Sequence, residues 1–280
     1  MVELKFTKMQ GCGNDYIYIN CFDQDVSEPG ELSRRLSNRR YGIGGDGVIL
    51  ICPSGVADAR MRMFNLDGSE GKMCGNGVRC VGKYLYDNGI AKKPEITVET
   101  LSGIKTLKIL ESGAEADLVT VDMGCPELNA SKIPVNLDLD QVINYRARFG
   151  NRDYDITCVS MGNPHCVVFC DDVQSLDLEK IGPVFENSEL FPEKINTEFV
   201  KIVDDTTLSM RVWERGSKET LSCGTGASAA VVAAVLNGFC NKGQEVVVKL
   251  RGGILKVEYT GERVYLTGKA EKVFEGVVEV

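Results

Sequence analysis

Runs of β-branched and aromatic residues bounded by turn formers recur at 16–21, 48–52, 96–100, 119–123, 166–170, 246–250 and 255–259, and they predict strands. Helical signals are fewer. Each follows a Cys-Gly-x-Gly turn, over 78–87 and over 227–237, and each ends on Asn-Gly (Asn88-Gly89, Asn237-Gly238), the pair expected where a helix closes on a left-handed residue. The longest apolar run, GASAAVVAAVL at 226–236, is too short to span a bilayer, and its small residues suit a tightly buried helix.

The chain is also self-similar. MRMFNLDGSEGKMCGNG at 61–77 aligns without a gap on MRVWERGSKETLSCGTG at 210–226, with six of the seventeen positions identical and Phe64 opposite Trp213. The offset, Cys74 to Cys223, is 149, and it recurs where Gly13-Asn14 falls on Gly162-Asn163. A tandem duplication follows, with its boundary somewhere in 121–136, where Gly124, Pro126 and Pro134 break regular structure. The expected fold is α+β: two pseudo-symmetric domains, each a curved, mostly antiparallel sheet around one buried helix. Their expected extents are 1–124 and 125–267, with a C-terminal strand at about 268–280 returning to the first domain.

Two domains suit 280 residues, since single cores tend to split as chains approach roughly 250–300 residues. A net charge of -8 argues against nucleic acid or an anionic membrane as partner, because those surfaces select clustered Lys and Arg; a small molecule is the expected ligand. The opening MVELKFTKMQ has no charged head followed by an apolar stretch, so a cytoplasmic location is expected. The eleven cysteines are then expected to be reduced thiols. None shows the paired spacing of a zinc site, so no metal is expected.

Two of those cysteines stand apart. Cys74 and Cys223 are duplicates of one another, each at the start of a helix and each followed by glycines (75 and 77, 224 and 226). Backbone N–H groups and the helix dipole there favour a thiolate, so a pKa below the free value of about 8.5 is expected. The glycines let a ligand reach the backbone, and a carboxylate held by both helix starts would set its α carbon between two sulfurs. One thiolate removes the proton and the opposite thiol returns one, the arrangement that inverting a stereocentre demands. The remaining nine cysteines are expected to be packing or incidental residues.

MCGNG at 73–77, GND at 13–15, GNPH at 162–165 and ERGSKETLSCGTGA at 214–227 resemble, in order and over essentially the whole chain, the signature blocks of the diaminopimelate epimerase family. The resemblance implies interconversion of L,L- and meso-diaminopimelate, a step toward lysine and peptidoglycan precursors, without pyridoxal phosphate or metal, with a homodimer as the family expectation. It implies Cys74 and Cys223 as the catalytic thiols, Cys74 attacking the L,L substrate and Cys223 the meso substrate. It implies substrate contacts from Asn14, Asn65, Asn163 and Asn196, the ammonium and distal carboxylate held by Glu214 and Arg215, and an anion site at Gly75, Asn76, Gly224 and Thr225. Closure of the two domains on the substrate is expected, because a weakly acidic α proton needs water excluded.

Two positions depart from the family's pattern. Gly47, offset by 149 from Asn196, stands where relatives often carry Gln, leaving a contact either lost or taken by water. Lys218 stands where Gly is usual. The only histidine, His165, belongs to the GNPH block; with two thiols filling the acid and base positions, a supporting role is expected for it. A proline racemase type of enzyme is disfavoured by Asn76, Glu214 and Arg215, and a thiol-redox protein with a reversible Cys74–Cys223 disulfide is the alternative of a different class.

Overall fold

The computed structural model describes residues 3–280, which form two compact units, one up to Val121 together with Thr267–Val280 and the other Asp122–Leu266. In the first, β1 (Glu3–Gly11) and β2 (Asn14–Asn20) form a hairpin whose turn, Cys12-Gly13, has φ of 54° and 81°. Positive φ at both turn positions matches the right-handed twist of the strands. Helix α1 (Pro29–Leu36) leads to β3 (Gly47–Cys52), parallel to β2, and β4 (Ala59–Asn65) returns antiparallel to end in a short hairpin with β5 (Glu70–Gly71). Helix α2 (Gly75–Asp87) then precedes β6 (Glu95–Thr100), parallel to β4, and the antiparallel β7 (Gly103–Ser112) and β8 (Glu115–Gly124).

The second unit repeats this order. β9 (Tyr145–Phe149), β10 (Arg152–Ser160) and β11 (Pro164–Phe169) are antiparallel neighbours; α3 (Leu178–Glu186) leads to β12 (Asn196–Asp204), parallel to β11. β13 (Thr207–Glu214) and β14 (Lys218–Thr220) make the hairpin, α4 (Gly224–Leu236) follows, and β15 (Glu245–Leu250) lies parallel to β13. β16 (Gly253–Tyr259) and β17 (Val264–Lys269) come next; β18 (Glu271–Glu279) belongs to the first unit, where it pairs antiparallel with β1. The identities of the sequence repeat have a physical counterpart. Arg62 and Glu70 form a two-pronged ion pair (2.8 and 3.0 Å) across one hairpin, and Arg211 and Glu219 form the same pair (2.8 and 3.0 Å) across the other.

The expected strands are present within a few residues of their forecast ends, and each unit has its buried helix, starting directly after Cys74 and Cys223. Two further helices were not foreseen. α1 is only eight residues long, with Leu32 and Leu36 its buried apolar residues, and α3 carries Gly182 and Pro183 in its interior, residues that argue against a helix on local grounds. Both are held by packing. Leu32 and Leu36 join Ile17, Ile19, Val48, Leu50 and Phe64 on one face of the first sheet, while Phe149, Phe185, Phe191, Phe199 and Trp213 share the matching core of the second. β2 and β3 are therefore covered on both faces, which is why they read as unbroken apolar runs.

Gly182 shows how tight this packing is. A Cβ there would lie 2.2 Å from Trp213 Cδ2, and the indole is pinned by its Nε1–H donating to Glu186 Oε2 at 2.7 Å. Gly182→Ala is expected to destabilise the protein by about 1–3 kcal/mol, read as a lower urea midpoint with an unchanged slope.

Candidate active site

The hairpin after β4 ends at Met73, and Cys74 takes the extended backbone (φ -127°, ψ 121°) that precedes a helix. Its sulfur accepts from Gly77 N at 3.4 Å, doing for α2 what Ser or Asp does at most helix starts. Cys223 repeats this on α4 (φ -125°, ψ 114°), with Gly226 N donating to its sulfur at 3.3 Å. Glycine is required one turn in. A Cβ on Gly77 would lie 2.8 Å from Ile49 Cδ1, and one on Gly226 2.6 Å from Glu198 Oε1.

In the first unit, Cys74 donates its thiol hydrogen to Asn14 Oδ1 at 3.0 Å, and Asn14 Nδ2 donates to Asp46 Oδ2 at 2.6 Å. Arg39 holds Asp46 and Asp15 together. Asn65 donates to Ser69 Oγ at 3.0 Å. Fully buried Arg79 donates to Gly75 O at 3.1 Å and to Asn76 Oδ1 at 2.9 Å, which fixes the first turn of α2. Tyr16 was not foreseen as part of this group. Burial first, then the charges of Cys74 and Asp46, push its phenol well above the ordinary range, so it stays a neutral hydroxyl beside the sulfur.

In the second unit, Thr225 Oγ1 lies 3.4 Å from Cys223 Sγ and accepts from Asn163 Nδ2 at 3.3 Å. Asn163 Oδ1 is 3.1 Å from His165 Nε2, and His165 Nδ1 is 2.7 Å from Glu198 Oε1. Thr220 Oγ1 donates to Glu214 Oε1. Asn196 is buried with both ends engaged by backbone: its Nδ2 donates to Pro164 O at 2.7 Å and its Oδ1 accepts from Arg215 N at 3.0 Å. Arg215 is exposed and donates to Glu193 O at 2.8 Å. Asn196 thus orders the GNPH loop and the start of the Glu214–Arg215 turn.

The departures from the family's pattern now have reasons. A Cβ at Gly47 would lie 2.1 Å from Phe64 O, so this backbone leaves no room for a side chain. Lys218 is exposed and has φ 63°, a left-handed conformation that glycine takes without strain.

The expectation of a depressed thiol pKa fails at Cys223. Burial first, then the carboxylates of Glu214 and Glu198, hold this thiol well above its ordinary range, against the Thr225 hydroxyl and the Gly226 N–H. The helix start is present as forecast, but Cys223 is only 6% exposed, and lost hydration outweighs two hydrogen bonds. Glu214 is itself raised, by burial and by Glu198, against the hydrogen bond from Thr220.

Each unit therefore presents a thiol at a helix start with an asparagine in its hydrogen-bond network, and the proteins this chain is similar to are isomerases. A family model described as diaminopimelate epimerase matches residues 6–129 and 157–273. The diaminopimelate epimerase of Acetivibrio thermocellus is 52% identical over 279 residues, 99% of each chain. The chain belongs to the diaminopimelate epimerase family. Among solved structures, a PhzF-family phenazine biosynthesis protein of Bacillus anthracis shares the fold with a TM-score of 0.73 at 17% identity, over 100% of both chains. A probable proline racemase of Agrobacterium radiobacter does so with a TM-score of 0.71 at 18% identity, over 99% of this chain and 92% of that one.

Removing the Glu214 charge should ease ionisation of Cys223, because that carboxylate is among the groups that raise it. In Glu214→Gln, alkylation of Cys223 by iodoacetamide is expected to accelerate at fixed pH near 7 and its pH inflection to fall, read by peptide mass spectrometry on the ligand-free protein. An unchanged or raised inflection would contradict this electrostatic account.

Proposed function

We propose that this chain interconverts L,L- and meso-diaminopimelate, with Cys74 and Cys223 as the two proton-transferring groups. The observation that carries the reading is that each unit presents its cysteine as the sulfur cap of a buried helix. N–H groups of such a helix start are available to a substrate carboxylate and stabilise the negative charge that builds as the α proton leaves. In the L,L direction a Cys74 thiolate takes the α proton and the Cys223 thiol donates one; in the meso direction the roles exchange. The raised Cys223 thiol supports its part as the initial acid, since a group that keeps its proton at neutral pH is the one able to give it.

The remaining assignments follow the chemistry of a substrate with two carboxylates and two ammonium groups. Gly75 with Asn76, and Gly224 with Thr225, supply the helix-start donors for the reacting carboxylate. Arg215 offers a guanidinium fork to the distal carboxylate, and Glu214 an acceptor for an ammonium. Asn14, Asn65 and Asn163 add neutral amide contacts, and Asn196 acts by holding the Arg215 backbone. A cytoplasmic setting suits thiols that must stay reduced.

The reading is tested by incubating the reduced protein with L,L-diaminopimelate in deuterium oxide and following exchange and stereochemistry together. Deuterium uptake coupled to inversion is expected, with turnover falling by at least about a thousandfold in both Cys74→Ala and Cys223→Ala. A reduced wild type that neither exchanges nor inverts would sink the substrate assignment.

We also infer a homodimer. Val273 and Val277 of β18 are each 57% exposed, exposed apolar side chains of the kind an interface between copies would cover. Sedimentation is expected to give a dimer mass, and Val277→Lys to shift it toward monomer.

A further inference from the structure

The duplication lets each unit serve as a reference for the other. At the offset of 149, Ile49 corresponds to Glu198 and Tyr16 to His165. Ile49 and Glu198 are both fully buried, and each lies under the third residue of its thiol-capped helix, against Gly77 and Gly226 respectively. The first unit thus places hydrocarbon and a phenol where the second places a carboxylate and an imidazole. Packing alone is satisfied by isoleucine, and a buried acid is costly unless it is paired. Among the described residues the Glu198 carboxylate has one hydrogen-bond partner, His165 Nδ1 at 2.7 Å, and its other oxygen, Oε2, is buried with none.

That arrangement determines where hydrogens sit. With both side chains at 0% exposure, the pair is favoured in its net-neutral form, either carboxylate with imidazolium or carboxylic acid with neutral imidazole. Both forms share a hydrogen between Oε1 and Nδ1, and both leave a second one on Nε2. Nε2–H then donates to Asn163 Oδ1 (3.1 Å), which turns Asn163 Nδ2 toward Thr225 Oγ1 (3.3 Å). With its oxygen accepting from Asn163, Thr225 has its own hydrogen left for Cys223 Sγ at 3.4 Å. The opposite assignment, hydrogen on Nδ1 alone, would flip the amide and make Thr225 an acceptor from the thiol.

We propose that Glu198 is a positioning residue for proton transfer at Cys223: through His165, Asn163 and Thr225 it sets the direction of a hydrogen-bond chain that ends with the Thr225 hydroxyl donating to the sulfur. This rests on the reading of Cys223 as one of the two proton-transferring thiols. Cys223 faces Glu214 from β13, Glu198 from β12, and Thr225 and Gly226 from its own helix, while His165 from β11 acts on Glu214. When it ionises during turnover the Glu214 carboxylate opposes the new charge, and the donated hydroxyl is what the chain supplies against it.

His165 is the only histidine, so protein labelled with 15N-histidine reports one pair of ring nitrogens. A protonated Nε2 is expected in the wild type; a bare Nε2 overturns the proposal. Alkylation of Cys223 against pH, with Cys74 in the same molecule as the reporter of an intact fold, tests the role of Glu198. Glutamine's carboxamide satisfies either ring tautomer, so Glu198→Gln no longer commits the chain, and Cys223 is expected to react more slowly by a few-fold. Thr225→Val is expected to raise its inflection by about one pH unit, Thr225→Ser to restore it, and Glu198→Gln to add nothing in the Thr225→Val background. If Glu198→Gln accelerates Cys223, the carboxylate acts only as a repelling charge, and that result or an unchanged rate overturns the proposal. No arm uses diaminopimelate, so failure of the exchange assay and failure of the chain are separate results.

Discussion

A sulfur atom capping a helix is the interaction on which the rest of each unit depends. Gly77 N and Gly226 N donate to Cys74 and Cys223, which fixes each thiol at the start of its helix and gives it the extended backbone of a cap. Holding the sulfur there requires a helix that cannot shift, and each is locked by burial. α4 is apolar all round, and α2 carries Arg79 and Lys83 inward, each with a partner: Arg79 on Gly75 O and Asn76, Lys83 on Ala116 O at 2.7 Å and Asp87 at 2.7 Å. The glycines one turn in follow from the same constraint, since strand side chains press against the helix at that point.

Given that shared frame, the units differ in what surrounds the sulfur. Around Cys74 lie Asn14 and a neutral Tyr16; Ile49 lies against Gly77 of the same helix, and Asn65 stands at the position that answers Glu214. Around Cys223 lie Asn163, His165, Glu198 and Glu214 itself. The first set carries no carboxylate at these positions, and the second carries two. Burial and these carboxylates raise Cys223, while the geometry of the capping sulfur is common to both units. A helix start by itself does not decide the protonation of a cysteine; the dehydration of the sulfur and the charges beneath the helix decide it here.

The duplication, the cysteines at helix starts and the strands were legible in the chain because each leaves a local mark: an Arg and a Glu spaced identically in both copies, a repeated Cys-Gly-x-Gly, an apolar run bounded by turn residues. α1 and α3 were not, since Pro183 and Gly182 inside α3 speak locally against a helix and only the Trp213 ring packed on Gly182 explains the glycine. Yet the unbroken runs at β2 and β3 already implied cover on both faces, and one buried helix per unit supplies only one of them. Tyr16 and Glu198 were hidden differently. Each sits inside a strand and reads as ordinary strand sequence until it is set against its counterpart 149 residues away, where phenol answers imidazole and isoleucine answers glutamate. The protonation of Cys223 was out of reach of any local motif, because it depends first on the burial of the residue and then on carboxylates carried by two strands, Glu214 on β13 and Glu198 on β12.

An enzyme that inverts one centre with two thiols works only while the pair shares a single proton; two thiols have no base, and two thiolates have no acid. If both sulfurs lay in equal surroundings, the two single-proton states would be equally populated and each substrate isomer would meet the wrong one half the time. Unequal surroundings select one state at rest. They cannot alter the overall equilibrium between the isomers, so whatever eases one direction of kcat/KM eases the other by the same factor. On the mechanism proposed above, a buried, carboxylate-flanked Cys223 has to be raised enough to hold its proton at rest, yet still be met by donors when it gives that proton up. The Gly226 N–H supplies one donor by the geometry of the helix. A second must come from a side chain, and Thr225 is the hydroxyl within reach of the sulfur.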